Sequence, residues 1–137
     1  MRVRMKVEGG DRLARKLQMI AEETARKHMR ESALAGAEVI RAEVEDRAPR
    51  KTGVLAGDIQ KEVKKQTKNR VEVHVGPGKK GWYGALVEDG HAIVVKGEKV
   101  GDVPPHPFIR PAFDAKTEEA YRVFESELRG RLKLYGD

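Results

Sequence analysis

Six residues, Gly76-Pro77-Gly78-Lys79-Lys80-Gly81, carry the G-x-G-x-x-G spacing of a dinucleotide site. That chemistry also needs a helix opening at the third glycine, whose free N–H groups meet the pyrophosphate, and an acid about 20 residues further on. Trp82-Tyr83-Gly84 is a poor helix start, the second half of the motif is Lys-Lys, and no parallel β-α-β repeat follows. The stretch therefore reads as a strand-to-strand turn, and no cofactor is expected. It is not a Walker loop either, because the spacing and the Ser/Thr after lysine are missing.

The histidines are His28, His74, His91 and His106, and none stands at an H-x-x-x-H metal spacing. Glu88, Asp89 and His91 lie close enough to hold a cation in principle. A single cluster with no second ligand set reads instead as a surface loop. Ser32 and Ser126 fall in predicted helices with no elbow glycines around them. Pairs such as Glu22–Arg26 and Glu23–Lys27 stand at i,i+4 and support a helix rather than catalysis. There is no cysteine, which excludes a disulfide framework, a Cys-ligated zinc site and thiol catalysis. No catalytic, cofactor-binding or metal-ligating residue emerges, and the expectation is a protein that is not an enzyme.

What remains is surface chemistry. Residues 1–70 hold 18 Lys and Arg against 11 Asp and Glu, whereas residues 71–137 hold 10 against 11. The surplus includes Lys61, Lys64, Lys65, Lys68 and Arg70, and such an asymmetry points to a functional contact with nucleic acid. A plain solvated face is the simpler reading of the same charges. Aromatic residues make up only 5% of the chain, so Trp82 and Tyr83 stand out, either as a core anchor on a strand or as a buried interface contact. Phe108 follows a rigid proline lead and either docks on a neighbour or closes the domain's own core.

These residues need elements to position them. Apolar or small residues recur at Leu13, Leu17, Ile20, Thr24, Ala33, Ala37, Ile40 and Val44, which predicts a helix over residues 10–47. Unbroken it would be about 55 Å long, so it breaks, with a bend near Gly36, or packs partly on another subunit. Pro49 ends it. Residues 54–103 read as strands and hairpins. Val54 to Val63 is ambiguous but favours extended chain, since Gly53 and Gly57 discourage a helix. Val71 to Val75 alternates strictly, Trp82 to Val87 resumes an apolar run, and a hairpin turns around Lys96 to Lys99. A second helix occupies residues 111–134, with Pro111 in its first turn. Helix, strands, helix gives an α+β class: a small antiparallel sheet flanked by a long N-terminal helix and a C-terminal helix.

The chain has 137 residues and a formal net charge of +6, which suits one domain over residues 1–137. Its apolar runs fall far short of the ~20 residues a membrane span needs, so no membrane contact is expected. Met1-Arg2-Val3-Arg4-Met5-Lys6 has a positive start but no apolar region after it, unlike a secretory signal.

Four landmarks stand in order. The first is Ala48-Pro49-Arg50-Lys51-Thr52-Gly53-Val54-Leu55, similar to an A-P-x-x-T-G-x-L element, and the second is Val75-Gly76-Pro77-Gly78. The third runs from Trp82 through Gly84 and Glu88 to His91, and the fourth from Pro105 through Phe108 and Arg110 to Asp114. The series, over roughly residues 10–130, resembles the gene-product-ten-like tail-component family of long-tailed bacteriophages of the Hong Kong lambdoid type. Gly90-His91 departs from the family's usual Gly-Thr or Gly-Ser.

The resemblance implies a structural virion protein of the phage neck. It would form a ring, expected to be sixfold, that terminates the tail tube and joins tail to head. Implied partners are other copies of the chain, the tail tube protein, the head-side connector, and double-stranded DNA passing through the lumen without sequence preference. The implied location is the virion, with assembly in the host bacterial cytoplasm. Trp82, Tyr83, His91, Pro105, Phe108 and Arg110 are the interface candidates, and Lys61, Lys64, Lys65, Lys68 and Arg70 are the candidates to face the DNA or the lumen. The alternatives are a head-closure protein on the capsid side, or a basic nucleic-acid-binding module.

Overall fold

The computed structural model describes residues 1–7, 11–67 and 69–135. Lys68, one of the basic candidates, lies outside the described residues. The architecture is α+β. Strand β1 (Arg2–Lys6) is followed by helices α1 (Arg12–Met19) and α2 (Glu22–Arg47) and a single turn of helix, α3 (Val54–Gly57). Strands β2 (Ile59–Gln66) and β3 (Arg70–Pro77), the short helix α4 (Gly84–Asp89), the hairpin β4 (His91–Val95) and β5 (Glu98–Val103), and helix α5 (Ile109–Leu132) complete the order. Both sheets are antiparallel: one has the order β1-β3-β2, the other is the β4–β5 hairpin.

Strand β1 was not anticipated, although its pattern is legible. Val3, Met5 and Val7 alternate with Arg2, Arg4 and Lys6, so one face is apolar and the other basic. Met5 joins Val71, Val73 and Val75 in the core beneath α2. In α2, Ala25, Met29, Ala33, Ala37, Ile40 and Val44 are buried at helical spacing. Helix α5 packs antiparallel along α2: Arg131 is ion-paired with Glu31, and Ala120 and Phe124 come against Gly36.

The long helix does break, but not at Gly36. Ile20 is extended (φ −94°, ψ 149°) and separates α1 from α2, while α2 runs unbroken through Gly36. The apolar spacing continues across the break, which hides it. The missed signal is Glu22-Glu23, two acids in the first turn of α2 where the helix dipole favours negative charge. Asp11 caps α1, its Oδ1 accepting the Leu13 N–H at 3.1 Å.

Two further expectations are corrected. Val54 to Gly57 is helical rather than extended, entered from Gly53 at φ +78°. The Trp82 to Val87 run is a turn leading into α4 rather than a strand. The hairpin turns at Lys96-Gly97, both at positive φ, as a two-residue turn of the primed kind requires.

Candidate interface

Three of the four landmarks line one groove. Pro49, Thr52 and Leu55 come from the first, Tyr83 and Val87 from the third, and Pro105, His106 and Pro107 from the fourth; Arg47 and Lys51 add positive charge. The groove has a volume of about 670 Å³. An apolar floor with a polar rim is the anatomy of a docking surface.

Asp58, between the first and second landmarks, pins the turn that follows the second. Buried just past α3, it accepts the Gly81 N–H at 2.7 Å and the Gln60 amide at 2.9 Å, and its carbonyl accepts the Gly78 N–H at 2.9 Å. The glycine-rich stretch is thus a turn pinned by a carboxylate. Replacing Asp58 with alanine orphans the Gly81 N–H; the expected loss is about 2 kcal/mol, with faster hydrogen exchange at Gly81. Denaturant unfolding with amide exchange checks it, and an unchanged midpoint would remove the pin.

The third landmark clamps the fourth. Glu88 on α4 accepts the N–H groups of Phe108 (2.6 Å), Ile109 (2.9 Å) and Arg110 (3.0 Å). The next residue, Pro111, has no N–H, so one carboxylate and one proline satisfy the whole start of α5. Burial pushes the Glu88 carboxyl up, but the three N–H donors outweigh it and hold it below the ordinary carboxylate range. His106 adds a backbone bond to the Val87 carbonyl at 2.8 Å. No spacing rule would have singled out Asp58 or Glu88 for these tasks, since each acts across 20 or more residues of chain.

The interface candidates divide. Trp82 is 71% exposed and stacks edge-on against Tyr83, ring centroids 5.9 Å apart. Tyr83 is half-buried in the groove wall, Pro105 is exposed in the same wall, and Arg110 is exposed at the start of α5. His91 is exposed at the root of the hairpin. Phe108 is 1% exposed and closes the domain's own core, which corrects its place among the contact candidates. The basic candidates divide too. Lys64 pairs with Glu62 at 3.0 Å, and Lys65 and Arg70 are exposed. Lys61 turns toward α2, donating to the Leu34 carbonyl at 3.2 Å and lying 3.6 Å from Glu38, so it leaves that set.

The β4–β5 hairpin is the other uncovered surface. Every residue of β4 is exposed, and Val94, Val95 and Val100 are 60%, 52% and 63% exposed. Among the described residues, no helix is long and apolar enough to cross a membrane.

Among the described residues, the landmark-lined groove and the β-branched hairpin are apolar surfaces that the chain leaves uncovered. Residues 11–90 match the family described as "Bacteriophage HK97-gp10, putative tail-component". The match spans more than half of the chain, from α1 through α4, and the chain belongs to that family. No curated protein and no solved structure matches it. A phage tail component works in the virion, among other tail proteins.

Proposed function

We propose that this chain is a non-enzymatic neck protein: a ring, of six copies, that ends the tail tube and joins it to the head-side connector, with double-stranded DNA passing through its lumen. The observation that carries this reading is the hairpin. A lone two-stranded hairpin is marginal in water. Here it displays Val94, Val95 and Val100 to solvent beside a groove that no segment of the chain fills among the described residues. Covering both by neighbours in the neck accounts for both.

The test is solution mass by light scattering across a wide concentration series, with and without tail tube protein. The expected result is a discrete closed oligomer. In the double variant Val94→Asp/Val100→Asp, assembly is lost while the melting temperature stays within about 2 °C, because exposed surface substitutions seldom change stability. A chain that remains monomeric in both conditions, or a double variant that assembles normally, overturns the ring. If the oligomer forms but labelled copies appear on tailless heads and not on finished tail tubes, the protein is a head-closure component instead.

A further inference from the structure

We infer that the end of the molecule around Gln66 is a binding surface for the phosphate backbone of double-stranded DNA. Two depressions meet there. One, of about 490 Å³, is lined by Arg26, Lys27 and Arg30 of α2 with Glu23 beside them. The other, of about 160 Å³, is lined by Arg4, Lys65 and Arg70 over Glu72. Gln66 walls both, and its backbone and side chain are tied to Arg26 by hydrogen bonds in both directions.

Six cations line the pair of depressions with the carboxylates Glu23 and Glu72, and Glu22 beside them is paired with Arg26. Glu72 is already engaged by Arg4 at 3.3 Å and His74 at 3.1 Å. Lys27, Arg30, Lys65 and Arg70 have no carboxylate partner among the described residues. Arg26 is different: it pairs one turn away with Glu22 at 3.1 Å, as Arg47 does with Glu43 and Arg129 with Glu125, so the four unpaired cations carry the surface.

The linings choose between partners. A protein partner is ordinarily held by an apolar centre within a polar rim. Neither depression is lined by a single apolar side chain: besides the charges there are only Thr24, Gln66 and Thr67. Cations and short polar donors are what phosphate oxygens take, and with no aromatic or base-reading group the contact is independent of sequence. This surface is not the stripe of lysines along β2. It takes its cations from α2, β1, β2 and β3, and it leaves Lys61 out. The inference deepens the DNA-passage part of the proposed function but does not need the ring, since a monomer presents the same surface.

The experiment is fluorescence anisotropy with a 25-base-pair duplex of arbitrary sequence, at about 50 and 200 mM salt, on the full chain. Four phosphate contacts predict a slope near −3.6 in log affinity against log salt, a roughly hundred-fold loss over that range. A second, unrelated duplex should bind equally well. The variant Lys27→Gln/Arg30→Gln/Arg70→Gln should bind at least about ten-fold more weakly with a flatter slope. The control Lys79→Gln/Lys80→Gln/Lys96→Gln removes the same charge elsewhere and should stay within about two-fold, and matching thermal melts exclude unfolding. The inference fails if the parent shows no salt-dependent binding, or if the control weakens as much as the test variant. It also fails if polyglutamate binds where duplex does not, which would give the surface to an acidic protein. Loss of the ring with duplex binding intact would overturn the oligomer and leave this surface standing.

Discussion

Replacing Gly36 with leucine is expected to cost about 3 kcal/mol and to lower the melting temperature by roughly 10 °C. A Cβ at this position would stand 2.7 Å from the Ala120 carbonyl oxygen of α5 and 3.1 Å from the Phe124 Cβ. The first of these is backbone, so relief requires α5 to move as a body. Met5 Cε, at 2.9 Å, is the end of a flexible side chain and can give way. Gly36→Ala should cost less, because alanine recovers about 1 kcal/mol of helix propensity that glycine forgoes. Gly130 is the internal control. It lies in α5 with nothing within 4 Å of its would-be Cβ, so Gly130→Ala should stabilise by about 0.5–1 kcal/mol. Thermal and denaturant melts of the three variants decide it. Equal effects at positions 36 and 130 would mean that α2 and α5 do not meet this closely.

Glu88→Ala is expected to cost about 2–3 kcal/mol, since it leaves the Phe108, Ile109 and Arg110 N–H groups without their acceptor. Glu88→Gln keeps the volume and one acceptor oxygen and should lose about half as much. The pH dependence has a definite sign. The folded-state carboxyl titrates lower than in the unfolded chain, so its contribution is complete above the unfolded value of about 4.3. It is lost as pH falls through the folded value. The stability gap between parent and Glu88→Gln should therefore be constant near neutrality and close below about pH 4. Denaturant melts across that range measure it. A gap that persists unchanged at low pH would show that the charge on Glu88 contributes nothing.

The landmarks that suggested the family are largely mutual supports, and this bears on how a site should be read from such a pattern. Asp58 pins Gly81, Glu88 caps α5, and Pro77 packs so tightly on Gly84 that a Cβ there would lie 2.5 Å from Pro77 Cγ. Phe108 shows the hazard. A rigid proline lead with an aromatic plug is compatible with docking or with core closure, and only its 1% exposure separates them. Lys61 shows the same hazard for charge, since a lysine in a basic run was free to turn inward and satisfy the Leu34 carbonyl.

Read alone, the chain determined the α+β class, the strand at Val71 to Val75, the hairpin around Lys96-Gly97 and the helix ahead of Pro49. Each follows from a local rule: side-chain periodicity, turn chemistry, or proline's effect on the residue before it. The tail-component family was legible as well, in the order of the landmarks. Tertiary structure alone decided the rest. The helix breaks at Ile20 and runs unbroken through Gly36, where α5 approaches too closely to admit a Cβ, and a close approach between two helices leaves no local mark except a small residue. The groove and the basic surface around Gln66 are likewise made of residues far apart in the chain. Periodicity reports which side of an element is apolar. Which elements bring those sides together is set by packing, and packing joins positions that no sequence spacing connects.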